Sequence, residues 1–254
     1  MKLYDLPEEV LLKIFGYLQL PDLLRTVSPV CRRFRNICHC PALWRDFRFD
    51  VFYNKSCFDH IFLHANYFRS LSFVSYVGQL RMEVPEQYIE DGLCCCTQLR
   101  ELDISYNLSI VNFKFLFKMP NLEILNMEYC CNVDAKTAVL ALKSLQCPKK
   151  VVMALCEQFT MEQICEIFCS SSSFVHIDIE NCTRVSVNSS KAILQANPEL
   201  KCFLFTPSWG PPPKWVELMA ENGQVTFHAD LDQMFDRCMY PEWLLPEELD
   251  ELMQ

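Results

Sequence analysis

Between Leu99 and Ser208 apolar residues return at fixed offsets: Leu99, Leu102 and Ile104, then Leu122, Leu125 and Met127, Val151 and Met153, Phe174, Ile177 and Ile179, and Leu200, Phe203 and Phe205. Each set belongs to a nine-residue block that closes on a small polar residue, Asn107, Cys130, Cys156, Cys182 or Ser208. The blocks begin at 99, 122, 148, 174 and 200, in steps of 23, 26, 26 and 26 residues. Alternation at period two predicts a short strand in each block, with its fourth and sixth positions facing inward. Weaker copies start at Trp44, Phe68 and Asn222. Strands are therefore expected near 47–49, 71–73, 102–104, 125–127, 151–153, 177–179 and 203–205, with a further weak copy at 225–227. Between blocks, Val133–Leu145 and Val187–Ala196 have helical length, and Thr160-Met161-Glu162-Gln163 reads as a capping box ahead of Ile164, Ile167 and Phe168. A strand, a corner and a helix at this period bury their apolar faces only by stacking on the next copy, which predicts a solenoid with a parallel sheet inside and helices outside.

The first fifty residues follow a different pattern. Leu11, Ile14, Phe15 and Leu18 form a stripe at helical spacing, with Asp5 as a candidate cap and Pro7 near the first turn, where a missing N–H costs nothing. Val10 and Tyr17 lie outside that stripe, so this helix carries more apolar surface than one face requires. A second helix fits Pro21 to Val27. A third starts at Ser28-Pro29 and presents Val30, Phe34 and Ile37 on one side. Three short helices make a core that is marginal alone and leans on a neighbour or a partner.

Leu6-Pro7-x-Glu9, Ile14-Phe15-x-x-Leu18, Asp22-Leu23, Val30-Cys31-Arg32 and Leu43-Trp44-Arg45 have the order and spacing of the F-box, and residues 3–48 resemble that family, with Phe34 where it usually has tryptophan. The repeats behind it, with cysteine at the ninth position, resemble the cysteine-containing leucine-rich repeats often found behind F-boxes. The expected fold class is α/β: a three-helix F-box over 1–48, a short leucine-rich-repeat solenoid over 49–210, and a cap with an acidic tail over 211–254. The resemblance implies docking onto a Skp-type adaptor through Leu6, Pro7, Val10, Leu11, Ile14, Phe15 and Leu18, and through that adaptor onto a cullin scaffold. The repeats would hold a protein substrate, making the chain a receptor subunit of a ubiquitin ligase. A non-degradative interaction scaffold is the alternative the sequence leaves open.

Charge narrows the partners. Residues 228–254 hold eight carboxylates against Arg237, a net of −7 out of −9 for all 254 residues, so the body is nearly balanced. Nucleic-acid binding needs a clustered basic surface, which this distribution excludes, and anionic membranes are disfavoured for the same reason. Asp5, Glu8 and Glu9 stand where a secretory signal would be basic, and no stretch approaches the ~18 apolar residues of a membrane helix. The expected location is the cytosol or nucleus, where sixteen cysteines are thiols.

Candidate chemistry is sparse. Cysteine at the repeat corners reads as structural, because a small side chain with weak hydrogen-bonding capacity fits among turning amides. There is no C-x-x-C pair, and His60 and His64 at i, i+4 lack a third ligand nearby, so no metal is expected. Five glycines are too dispersed for a phosphate-binding loop, and no cofactor or catalytic residue is expected. The third, fifth and seventh positions of each block should face the concave side. They include Glu101, Asp103, Asn126, Glu128, Lys150, His176, Asp178 and Glu180, an acidic surface with an apolar stripe suited to a basic and hydrophobic substrate segment. Tyr240, Trp243, Leu244 and Leu245 are too apolar for a solvated tail and are expected to dock back on the repeats.

Overall fold

The computed structural model describes residues 2–18, 22–48, 61–72 and 86–207. The expected cap and acidic tail, the strand copy at 225–227 and His60 lie outside these residues.

Helix α1 spans Glu8–Phe15, and its N-terminal position is set by Pro7 rather than by Asp5. Asp5 instead belongs to a separate 3₁₀ turn, Leu3–Asp5, and accepts from the Lys2 backbone N–H at 2.9 Å. The physical reason lies in Leu6, which precedes proline and is held extended at ψ 146°, so one continuous helix cannot run from Asp5. A wide helical turn covers Leu23–Val27. Helix α2 runs over Arg32–Cys38 and is capped by the Cys31 sulfur, which accepts from the Phe34 N–H at 3.4 Å, so Ser28 is not the cap. Leu11, Phe15, Leu23, Phe34, Ile37 and Cys38 form the small core, with the Phe15 and Phe34 rings edge to face at 5.2 Å.

Seven parallel strands follow in chain order, each beside the next: β1 Asp46–Arg48, β2 Ser70–Ser72, β3 Glu101–Asp103, β4 Ile124–Asn126, β5 Lys150–Val152, β6 His176–Val185 and β7 Cys202–Pro207. They begin one residue before the expected ranges, and β6 and β7 run longer than three residues. The register is constant along the array: Leu71, Leu102, Leu125, Val151, Ile177 and Phe203 are successive partners, all buried. Each repeat adds the same backbone contact. The Arg69 carbonyl accepts from Arg100 and Glu101 N–H, the Arg100 carbonyl from Glu123 and Ile124, and the Glu123 carbonyl from Lys149 and Lys150, at 2.7 to 3.0 Å.

The outer layer consists of α3 Glu86–Cys94, α4 Ala135–Lys143, α5 Met161–Phe168 and α6 Val187–Ala196. Local signals place their starts. Asp134 accepts from Thr137 N–H at 2.9 Å, Ser186 from Ser189 N–H at 3.1 Å, and Thr160 with Gln163 forms the reciprocal capping box. The 23-residue block carries a 3₁₀ turn, Lys114–Lys118, in place of a helix, which accounts for its shorter period. Gly92 in α3 faces the Phe62 ring, where an added Cβ would come within 2.2 Å, so only glycine allows this close approach.

The sheet starts inside the N-terminal unit. The Arg45 carbonyl accepts from Arg69 and Ser70 N–H at 2.7 and 3.0 Å, opening the same ladder that the repeats continue. Trp44 is buried in the repeat core while its indole N–H donates to the Cys38 carbonyl at 2.9 Å, at the end of α2. His64 stacks on Trp44 with ring centroids 3.7 Å apart and shares a hydrogen bond of 2.8 Å with His39. The expected His60/His64 pair is thus superseded at His64 by a packing role. Among the described residues no group of three metal-ligating side chains occurs, and no helix is long and apolar enough to cross a membrane.

Candidate functional site

Two surfaces concentrate the residues singled out in the sequence. On the N-terminal unit, Pro7, Val10 and Leu18 are exposed and Leu6 and Ile14 half-buried. Leu11 and Phe15 are not surface residues: both lie in the core against Phe34 and Ile37, because the packed side of α1 takes positions i and i+4. Their assignment to the adaptor-facing set is corrected on that ground. Exposed Leu3, Tyr4, Tyr17 and Val30 lie in the same small unit, and Tyr17 is 90% exposed and Val30 65%. The signal for Tyr17 was its place outside the buried stripe. Leu3 and Tyr4 depend instead on Arg33, whose guanidinium donates to the carbonyls of Tyr4 and, at 2.7 Å, Leu6, tying the first turn to α2.

On the concave side, third-position residues Glu101, Ile124, Lys150, His176 and Cys202 are neighbours in that order across the sheet, as are fifth-position Asp103, Asn126, Val152, Asp178 and Leu204. The structure brings these sequence-distant side chains onto one face. It also gives three of them a second job. Asp103, Asn126 and Asp178 accept, through their side-chain oxygens, from the N–H two residues ahead, in Ser105, Glu128 and Glu180, at 3.0, 3.1 and 3.2 Å. These Asx turns close the strand ends. Ser105, which also donates its hydroxyl to Asp103 at 2.7 Å, is buried rather than presented. Glu128 is oriented by the Tyr106 hydroxyl, which donates to it at 2.7 Å. Partial burial, with Lys150 alongside, lowers the affinity of His176 for a proton.

The corners beyond the strands were legible only in part. Cys130, Cys156 and Cys182 are buried, and each thiol donates to the sixth-position carbonyl of the preceding repeat: Ile104 at 3.1 Å, Met127 at 3.2 Å, and Met153. Desolvation pushes the Cys156 thiol up to about 12 and raises Cys130 and Cys182 likewise, so none is a nucleophile. The eighth-position residues Tyr106, Tyr129, Leu155 and Asn181 all have left-handed backbones, φ 55 to 60°. No glycine marks the spot in the sequence.

Residues 3–50 match the F-box-like family. An F-box/LRR-repeat protein of Arabidopsis thaliana is 29% identical over 136 residues, covering 50% of this chain and 42% of that one. F-box/LRR-repeat protein 21 of Bos taurus is 44% identical over 66 residues (26% and 13% of the two chains), and that of Mus musculus 50% over 46 residues (18% and 10%). The chain thus spans less than half the length of these relatives. Among solved structures, the leucine-rich repeat-containing protein LegL7 of Legionella pneumophila aligns with 80% of this chain and 71% of its own at 11% identity and a TM-score of 0.45. That score carries no weight beside the strand register itself. The F-box-like match, the F-box/LRR relatives and the seven repeat strands together identify the chain as an F-box protein of the leucine-rich-repeat type.

Proposed function

We propose that the chain is a substrate-recognition subunit of a Skp-cullin-F-box ubiquitin ligase, working in the cytosol or nucleus. The observation that supports it best is the continuity at Trp44. One indole packs in the repeat core and hydrogen-bonds the end of F-box helix α2, and the next residue opens the sheet ladder. A receptor of this kind contributes geometry. It holds the substrate at a fixed offset from the adaptor and raises the effective concentration of a lysine near the ubiquitin-carrying enzyme, without supplying acid, base or nucleophile. The buried, high-pKa corner thiols fit that division of labour.

F-box domains typically bind Skp-type adaptors, and the exposed apolar set around Val10, Tyr17 and Leu18 offers such a partner a contact surface. The test is reconstitution: the full chain is co-expressed with adaptor and cullin, and ubiquitin transfer to captured cellular proteins is measured with and without residues 1–48. The receptor reading expects a stable ternary complex and loss of transfer on truncation. Complex formation with no transfer to any captured protein would favour a non-degradative scaffold.

A further inference from the structure

The concave face is interrupted at one repeat. In β5 and its continuation the fifth and seventh positions are Val152 and Ala154, where the flanking repeats have Asn126 and Glu128 on one side and Asp178 and Glu180 on the other. Val152 cannot make the Asx turn that Asn126 and Asp178 make in those repeats. The ladder continues through this region, with Tyr129 N–H donating to the Ala154 carbonyl at 2.9 Å and Leu155 N–H to that of Glu180 at 2.8 Å. The three repeats therefore stay at sheet spacing, and Glu128 and Glu180 stand on strands about 10 Å apart with a small side chain between them. The result is a slot one repeat wide. Val152 and Ala154 form its apolar floor, a carboxylate borders each side, and Lys150 marks the end where β5 begins.

Neither Glu128 nor Glu180 has an ion-pair partner among the described residues, whereas Glu123, on the strand edge, has both Arg100 and Lys149. We infer that this slot docks an arginine carried on an extended segment of a partner protein. The methylene stem covers Val152 and Ala154, and the guanidinium donates to Glu128 on one edge and Glu180 on the other. A planar group with donors on several edges can engage both carboxylates, whereas an ammonium acts as a point charge. The inference rests on the receptor reading in that the segment belongs to a captured protein.

The test uses the full chain and fluorescein-labelled ten-residue peptides of alanine, serine and leucine with one central arginine, matched to peptides with citrulline, its neutral isostere, or lysine at that place. Fluorescence polarisation at low and high salt should show the arginine peptide binding about tenfold more tightly than the citrulline one, with the difference shrinking as salt rises. Glu128→Gln with Glu180→Gln should erase the preference. So should Ala154→Arg, which seats the chain's own guanidinium in the slot and needs no loss of a native side chain. Equal binding of arginine and citrulline peptides, absence of binding by either, or a preference that survives in both variants would overturn the slot. Adaptor capture is read on the same preparations. Its retention beside a failed peptide preference removes only the slot, and its loss in the unmodified chain removes the receptor reading.

Discussion

The Cys156 thiol donates to the Met127 carbonyl, 29 residues earlier, at 3.2 Å, and the relation repeats between Cys130 and Ile104 one block before. A carbonyl at the end of each strand is thereby satisfied inside the core, by a side chain too small to disturb the stacking. Replacing Cys156 by alanine orphans that carbonyl and leaves a small void. A loss of about 1–3 kcal/mol is expected, read as a lower urea midpoint at unchanged slope.

The same burial sets a pH and labelling prediction. Cys96 and Cys156 are pushed up to about 12 from 9.0, so the folded chain keeps protons that the unfolded chain releases. The stability they contribute is complete below pH 9 and falls as pH rises toward 12. Mass spectrometry after iodoacetamide treatment at pH 8 should find exposed Cys147 alkylated and Cys96 and Cys156 protected until denaturant is added.

On the F-box, exposed and buried apolar residues should separate cleanly. Val10→Asp with Tyr17→Asp is expected to abolish adaptor co-purification while the thermal midpoint of the repeats stays in place. Phe15→Ala empties a core position, costs about 3–5 kcal/mol, and should lose adaptor binding through unfolding of the small domain. If both variants lose binding with the same fall in stability, the exposed set is not a docking surface.

Asp103 should tolerate asparagine better than alanine. Asparagine keeps the side-chain oxygen that the Ser105 N–H donates to, whereas alanine leaves that amide without it and should cost about 1 kcal/mol in equilibrium unfolding. Charge reversals at Asp103 or Asp178 therefore mix folding with recognition. Glu128 and Glu180 are the better probes of the face.

Glu123 bridges Lys149 at 2.6 Å and Arg100 at 3.3 Å across three repeats. The hydrogen bond from Lys149, with the two positive charges, holds its carboxyl below the usual 4.5. Its contribution is present above that pH and lost as pH falls through the lowered value. As a surface network it amounts to about 1 kcal/mol or less, so Glu123→Gln should lower stability slightly at pH 7 and, as the carboxylate protonates in strong acid, make progressively less difference.

The repeat itself was written in the sequence. A strand buried on one side has period two, and stacking fixes one copy every 23 to 26 residues, so Leu102, Leu125, Val151, Ile177 and Phe203 announce their shared row without any coordinates. The caps at Thr160 and Ser186 and the surplus apolar surface of α1 are local in the same sense. Three things required tertiary structure. Leu11 and Phe15 were separated from Val10 and Tyr17 only by where α2 packs. The left-handed corners at Tyr106, Tyr129 and Leu155 are held by N–H donation to the next repeat, at 2.7 to 2.9 Å, which offsets a local strain of about 1 kcal/mol each and leaves no glycine to mark them. The slot between Glu128 and Glu180 exists because strands 26 residues apart in sequence lie side by side. Periodicity encodes which residue shares a row, but the contents of neighbouring rows meet only when the sheet is built.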